Sequence, residues 1–172
     1  MDEQPPKKIK IFKDGEPVLR KKARPVPVSE IKSKKIQSVI KKMEKSIAEN
    51  EDAVAVAAPQ IGENLRITVI SKWVLSPSEE HPKTEFENMV FINPEITKMS
   101  RTKKDYPEGC LSAPGIYGTV KRAEKVKIEA YDENGKKFSR GASGLLSQTI
   151  QHEIDHLDGT LFLDKASDLI NT

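Results

Sequence analysis

The chain has little that could cross-link it or carry it through a membrane. It has one cysteine, Cys110, so it forms no internal disulfide. No apolar run approaches the roughly 20 residues of a membrane helix. The opening Met1-Asp2-Glu3-Gln4-Pro5-Pro6 lacks the apolar stretch of a signal peptide and is unlike an Arg- and Ser-rich transit peptide. Charge of one sign is missing too. Lys and Arg number 29 against 26 Asp and Glu, a formal net charge of +3, and the two signs are mixed throughout. Without a separate basic block, specific nucleic-acid binding is not expected. Internal repeats are absent, as is any linker that would divide the chain, so residues 1–172 are expected to form a single domain with a full core. Together these absences point to a reducing, cytoplasmic setting with no membrane contact.

Histidine is also scarce, at three residues, and two of them stand together in Gln151-His152-Glu153-Ile154-Asp155-His156. Residues four apart on an α-helix lie on one face, so His152 and His156 can turn imidazole nitrogens to one metal ion. Glu153 sits beside the first His, where its carboxylate reaches a water on that metal without ligating it. The alternative is a helix with two partly buried His and a solvated Glu. The lone Cys110, in Glu108-Gly109-Cys110-Leu111-Ser112, supplies a third ligand. Three protein ligands leave a fourth tetrahedral position for water, the arrangement of a catalytic site. Gly109 permits close backbone approach beside the thiolate. The third histidine, His81, lies in a polar loop between Glu80 and Pro82 and reads as solvated.

Around these motifs the pattern predicts a possible edge strand at Ile9-Lys10-Ile11 and a helix from Ser29 to about Asn50, with Ile36, Ile40, Met43 and Ile47 as its buried stripe. Ala53–Gln60 reads as a buried strand ending at Pro59. Gln60, a polar residue directly after it, is a candidate oriented amide donor. Leu65–Ile70 alternates as a strand, residues 71–88 read as a surface loop, and Val90–Asn93 reads as a short strand stopped by Pro94. Val120, Arg122, Val126, Ile128 and Ala130 mark strand pairing. Asp132-Glu133-Asn134-Gly135 is a hairpin turn with a return strand near Lys136–Ser139. The last helix is expected to start near Ser143, with Leu146, Ile150, Ile154 and Leu157 buried and Gly159 as its stop.

Three segments in order, residues 53–60, 108–112 and 151–156, resemble the peptide deformylase family, in which Gly-x-Gly-x-Ala-Ala-Pro-Gln, Glu-Gly-Cys-Leu-Ser and Gln-His-Glu-x-Asp-His follow one another. Val18-Leu19-Arg20, Pro114-Gly115 and Asp158–Phe162 match as well, so the resemblance spans nearly the whole chain. It implies an α+β fold, with antiparallel sheets packed around a central metal-binding helix that carries His-Glu-x-x-His. It implies hydrolytic removal of the N-formyl group from the N-terminal methionine of nascent polypeptides, with release of formate. Cys110, His152 and His156 would be the metal ligands and Glu153 the general base. The Leu111 N–H and the Gln60 amide would stabilise the oxyanion. Val54, Leu145 and Thr149 would line the methionine pocket, with Ala55 and Gly109 beside the substrate backbone. Mixed sulfur and nitrogen ligation suits Zn²⁺, Fe²⁺, Co²⁺ or Ni²⁺, and the resemblance implies Fe²⁺ in the cell. N-formylmethionyl peptides are the expected partners, with transient contact to the ribosome.

Two departures stand out. Ala53 and Ala55 replace the family's two glycines beside the substrate backbone, which joins the sheet as an added strand. The chain stops at Thr172, so the longer C-terminal helix implied in ribosome docking is expected to be absent. The departures motivate one alternative, a weak or inactive deformylase-like metal-binding protein. A zinc endopeptidase would need a further ligand downstream, and only Asp158, Asp164 and Asp168 follow His156, with no His or Glu.

Overall fold

A computed structural model describes residues 5–172; Met1–Gln4, part of the stretch read for a leader, lie outside the described residues. The scaffold is a five-stranded antiparallel sheet in the order β1-β2-β3-β6-β7. Its strands are β1 (Ala55–Ala57), β2 (Ile67–Ser71), β3 (Asn88–Met99), β6 (Lys125–Tyr131) and β7 (Lys137–Ser143). Helix α1 (Lys34–Glu49) covers one face and α2 (Gly144–Leu157) the other. All five residues of β2 are therefore buried. Ile36, Val39, Ile40, Met43 and Ile47 of α1 pack on Ile67, Val69, Val90 and Ile92. Leu146, Ile150 and Ile154 of α2 pack on Ile70, Phe91, Val126 and Ile128 from the opposite side. A second antiparallel sheet, β4 (Lys103–Cys110), β5 (Ala113–Ala123) and β8 (Ser167–Asn171), lies in the order β4-β5-β8, with α2 also touching β5. The architecture is α+β, with antiparallel sheets about a helix that carries His152, Glu153 and His156.

Several elements depart from the sequence expectations for local reasons. Helix α1 begins at Lys34, because the Ser33 hydroxyl caps the Ile36 N–H at 3.3 Å and residues 28–30 form a separate 3-10 turn. Ile9–Ile11 is not a strand. Strand β3 does not stop at Pro94. A register shift between Ile92 and Glu95 bulges the strand around Pro94, where no ladder donor is needed. Asn93 takes a positive φ of 51° there, and its side-chain amide exchanges two bonds with Val26, both at 2.8 Å. The expected pairing around Val120–Ala130 is split between sheets, since β5 pairs β4 and β8 while β6 pairs β3 and β7. The loop at 71–88 contains two 3-10 turns, Lys72–Leu75 and Lys83–Glu85. His81 is exposed and its ring lies 3.2 Å from Glu85, as a solvated residue would.

Helix α2 starts after Ser143, as the spacing predicts, and ends on a Schellman arrangement. Gly159 takes φ 77°, its N–H donates to His156 O at 3.1 Å, and the Thr160 N–H donates to Asp155 O at 2.9 Å. A Cβ at Gly159 would stand 2.7 Å from Arg20 O, so glycine is required both for conformation and for clearance. This closure fixes the C-terminal turn of α2, the turn that carries His156. Among the described residues no helix is long and apolar enough to cross a membrane.

Candidate functional site

Two elements bring the candidate ligands together. His152 and His156 project from one face of α2, and Cys110 is the last residue of β4. Their ligand atoms, one sulfur and two ring nitrogens, all lie within 4.8 Å of one another. Cys110 Sγ is 3.2 Å from His156 Nε2. The two rings meet edge to face, with centroids 5.0 Å apart, and Phe162 stacks on His152 at 6.1 Å. Phe162, buried in the Leu161-Phe162-Leu163 segment, thus closes one side of the site.

Orientation comes from a buried ionic chain. Glu108 Oε1 lies 2.8 Å from His152 Nδ1, which turns the ring's other nitrogen toward Cys110. Arg122 grips both oxygens of Glu108, at 2.7 and 2.8 Å, and reaches Asp155 at 2.6 Å. Gln148 adds a donor to Pro107 O at 3.0 Å and to Glu108 Oε2 at 3.4 Å. Burial alone would raise the Glu108 pKa, yet the Arg122 and His152 partners outweigh it and hold the carboxyl at about 2. Gln151 pins α2 to β5, since its amide accepts from Ala123 N and donates to Ala123 O, both at 2.9 Å.

The thiol is surrounded by donors. Gln60 Nε2 lies 3.3 Å from Cys110 Sγ and the Ser112 N–H lies 3.4 Å from it. Burial works against a thiolate, but the facing His156 and His152 rings more than reverse that and set the Cys110 pKa well below the usual thiol range. Burial likewise opposes charge on His152, while Cys110 and Glu108 overcome it and raise its pKa to about 10. Cys110, His152 and His156 would hold a divalent cation with the thiol and imidazoles deprotonated. The donor chemistry fits such an ion: a soft sulfur, two imidazoles and short mutual separations. Two buried atoms in this neighbourhood, Glu153 Oε2 and His156 Nδ1, have no hydrogen-bond partner in the protein. A buried carboxylate oxygen without a partner is costly and marks a place where water or substrate belongs. Glu153 is 3% exposed, and burial raises its pKa even though the two His pull it down. A carboxyl set here beside the two His can accept a proton from water and return it.

A cleft of about 490 Å³ opens onto these groups. Every substrate-side candidate named from the sequence lines it: Val54, Ala55, Gln60, Gly109, Leu111, Leu145 and Thr149. The cleft runs between two sheet edges, β1 and β4, each unpaired on that side. Gln60 is held in place by its own carbonyl oxygen, which accepts from Ala57 N at 2.9 Å, while its amide also donates to Ser112 Oγ at 3.2 Å. Thr149 Oγ1 bonds back to Leu145 O at 2.7 Å, so its methyl group is left for the cleft. A larger, more open depression of about 960 Å³, lined by Lys98, Lys127 and Arg140 among others, contains none of these groups except Leu145.

Sequence reasoning missed several supports. The N-terminal arm threads past the site: Phe12 N donates to Gln60 O, Asp14 N to Ser112 O and Lys13 Nζ to Leu111 O, each at 2.8 Å. Arg122, Gln148, Ser112 and Tyr117 were not read as site residues, although Ser112 closes the Cys110 motif. Arg122 and Gln148 become meaningful only once the β4–β5 register and the helix face are known.

Comparison with known proteins follows the same lines. The sequence model of the polypeptide deformylase family matches residues 8–171. A peptide deformylase of Dictyoglomus thermophilum is 42% identical over 159 residues, covering 91% of each chain. Peptide deformylase 1A, chloroplastic/mitochondrial, of Arabidopsis thaliana is 41% identical over 162 residues, covering 90% of this chain and 60% of the relative. Among solved structures, a peptide deformylase from Synechococcus elongatus in complex with actinonin superposes with a TM-score of 0.80 at 35% identity, covering 96% of this chain and 81% of that one. A peptide deformylase from Legionella pneumophila gives 0.79 at 40% identity, covering 92% and 86%.

Proposed function

The chain belongs to the polypeptide deformylase family, and from that premise we propose that it hydrolyses the N-formyl group of formylmethionyl peptides, acting as one catalytic domain over residues 1–172 in the cytoplasm. The single observation that carries this reading is the buried Glu153, partnerless at Oε2, lining the same cleft as Cys110 and His152. We assign Cys110, His152 and His156 to one divalent cation, Fe²⁺ in the cell, with Zn²⁺, Ni²⁺ or Co²⁺ as substitutes. Such a cation supplies Lewis acidity, acidifying water and polarising the formyl carbonyl.

The protein's own groups do the rest. Glu153 takes the proton of the attacking water, which adds to the formyl carbon. The Leu111 N–H and the Gln60 amide donate to the oxygen that gains charge. Glu153 then returns the proton to the amine as the C–N bond breaks and formate leaves. Val54, Leu145 and Thr149 hold the methionine side chain, while the edges of β1 and β4, at Ala55 and Gly109, pair with the peptide backbone as an added strand. Transient contact with the ribosome fits a nascent-chain substrate, and no element described here is assigned to it.

The test is formate release from a short formyl-methionyl peptide. It uses anaerobically purified protein with its metal quantified, and Glu153→Ala as the control. Turnover that disappears in the variant, with metal retained, establishes deformylation. A folded, fully metallated protein without turnover would establish the alternative, a deformylase-like metal-binding protein.

A further inference from the structure

Leu111 and Ser112 are the two residues that join β4 to β5, between the paired Cys110 and Ala113. Two-residue connections of this kind favour turns with positive φ at one or both positions. Neither Leu111 nor Ser112 has it. The turn therefore lacks the geometry that would hold it by itself, and its polar groups are met from outside. Lys13 Nζ donates to Leu111 O at 2.8 Å, Asp14 N to Ser112 O at 2.8 Å, and Gln60 Nε2 to Ser112 Oγ at 3.2 Å. The Ser112 N–H, in the same peptide unit as the Leu111 carbonyl, donates to Cys110 Sγ at 3.4 Å. That unit is anchored at both ends, and the bond from Lys13 is charge-assisted. Lys13 itself springs from a fixed stretch of backbone. Its N–H donates to Glu16 Oε1 and its carbonyl accepts from Glu16 N, both at 3.0 Å. The preceding Phe12 N donates to Gln60 O at 2.8 Å, and its ring sits so close to Gly62 that a Cβ there would lie 2.7 Å from Phe12 Cε2.

We propose that Lys13 is a positioning residue for the reaction: by holding the Leu111 carbonyl, its ammonium keeps the Leu111 N–H presented to the cleft. The inference rests on the deformylase reading above. The direction of that N–H is set by the peptide units on either side of Leu111. Cys110, at the end of β4, holds the first, and Lys13 holds the second from across the arm. A donor of this kind acts on charge that develops during the reaction, so loosening it costs turnover more than substrate binding. Lys13 acts through Leu111 and donates no proton to the substrate.

The experiment compares the unmodified, metal-loaded protein with Lys13→Met, which keeps the aliphatic stem but not the donor, and Lys13→Arg, which restores a charged donor. Steady-state rates on a formyl-methionyl tripeptide are taken at matched metal content. Removing a whole oxyanion donor costs about 10²–10³ in kcat, so loosening one is expected to cost about three- to tenfold. Lys13→Met should show that loss with KM within about twofold, and Lys13→Arg should recover kcat to within about twofold. A second readout needs no turnover: in the zinc-loaded protein, the backbone ¹⁵N order parameters of Leu111 and Ser112 should fall in Lys13→Met and recover in Lys13→Arg. Unchanged kcat and order parameters in Lys13→Met overturn the proposal. So does a rise in KM alone, which makes Lys13 a substrate contact, or a loss of metal retention, which makes it a support of Cys110. A lowered unfolding midpoint with kcat and KM both worse, not rescued by Arg, makes it a prop of the fold and overturns the proposal as well. Absence of turnover in the unmodified protein, with the order parameters responding as expected, overturns the deformylase reading and leaves Lys13 as the clamp of the turn.

Discussion

Glu108 Oε1 and His152 Nδ1 lie 2.8 Å apart, inside an ionic chain that continues through Arg122 to Asp155. The contact fixes which imidazole nitrogen is available to a cation and makes that nitrogen more basic. Removing such a supporting carboxylate typically costs about 10- to 100-fold in metal affinity. Glu108→Gln, which keeps size and hydrogen-bonding capacity but not charge, is expected to weaken metal retention by that factor. Chelator competition followed by metal analysis measures it. Unchanged retention would mean that the helix alone orients His152.

Gln60 is positioned before any substrate arrives. Its carbonyl is tied to Ala57 N, and its amide already points to the Cys110 sulfur. A donor held in this way needs no reorganisation when charge develops on the formyl oxygen. Gln60→Ala is expected to lower kcat by about 10²–10³ with KM changed far less. Steady-state rates at matched metal content check this. A loss confined to KM would make Gln60 a ground-state contact instead.

The sequence made the site more legible than the scaffold around it. Cys110, His152, Glu153 and His156 were readable because their chemistry depends on residue type and local spacing. Gln60 was readable because an amide after a buried apolar run is out of place. Arg122 was not readable as a site residue: its pairing with Glu108, 14 positions away, exists only in the register of the β4–β5 hairpin. Strand β8 escaped because all five of its residues are exposed and carry no burial alternation. Pro94 misled for a different reason: the bulge next to Asn93 removes the donor requirement that normally ends a strand at proline.

Ala53 and Ala55 bear on whether the family's glycines were needed for conformation or for clearance. Neither alanine is among the residues with positive φ, so their backbones do not require glycine. Both line the cleft, and Ala53 is buried. Restoring glycine at both is therefore expected to change kcat/KM by no more than about twofold. It should cost about 0.5–1 kcal/mol of stability per site through the extra freedom of the unfolded chain. Peptide turnover and urea unfolding of the double variant test both halves. A tenfold or larger gain in kcat/KM would show that the two methyl groups obstruct the peptide strand.

Acid should undo the Glu108 chain over a defined range. Burial pushes the Glu108 carboxyl up, but Arg122 and His152 prevail and hold its pKa at about 2, below the ordinary 4.5. A carboxyl whose pKa is depressed by folding binds its proton more readily in the unfolded chain. Its contribution is therefore complete above about pH 4.5 and disappears as pH falls toward 2. A shift of this size corresponds to on the order of 3 kcal/mol. Glu153 works in the opposite sense, because burial raises its pKa, so its share of stability grows as it becomes protonated. Urea unfolding of the chain and of Glu108→Gln, measured from pH 6 to pH 3, separates the two. The unmodified protein is expected to lose stability more steeply below pH 4.5, and the two curves should converge toward the acid end. Parallel curves would assign acid sensitivity to other carboxylates and remove Glu108 as its source.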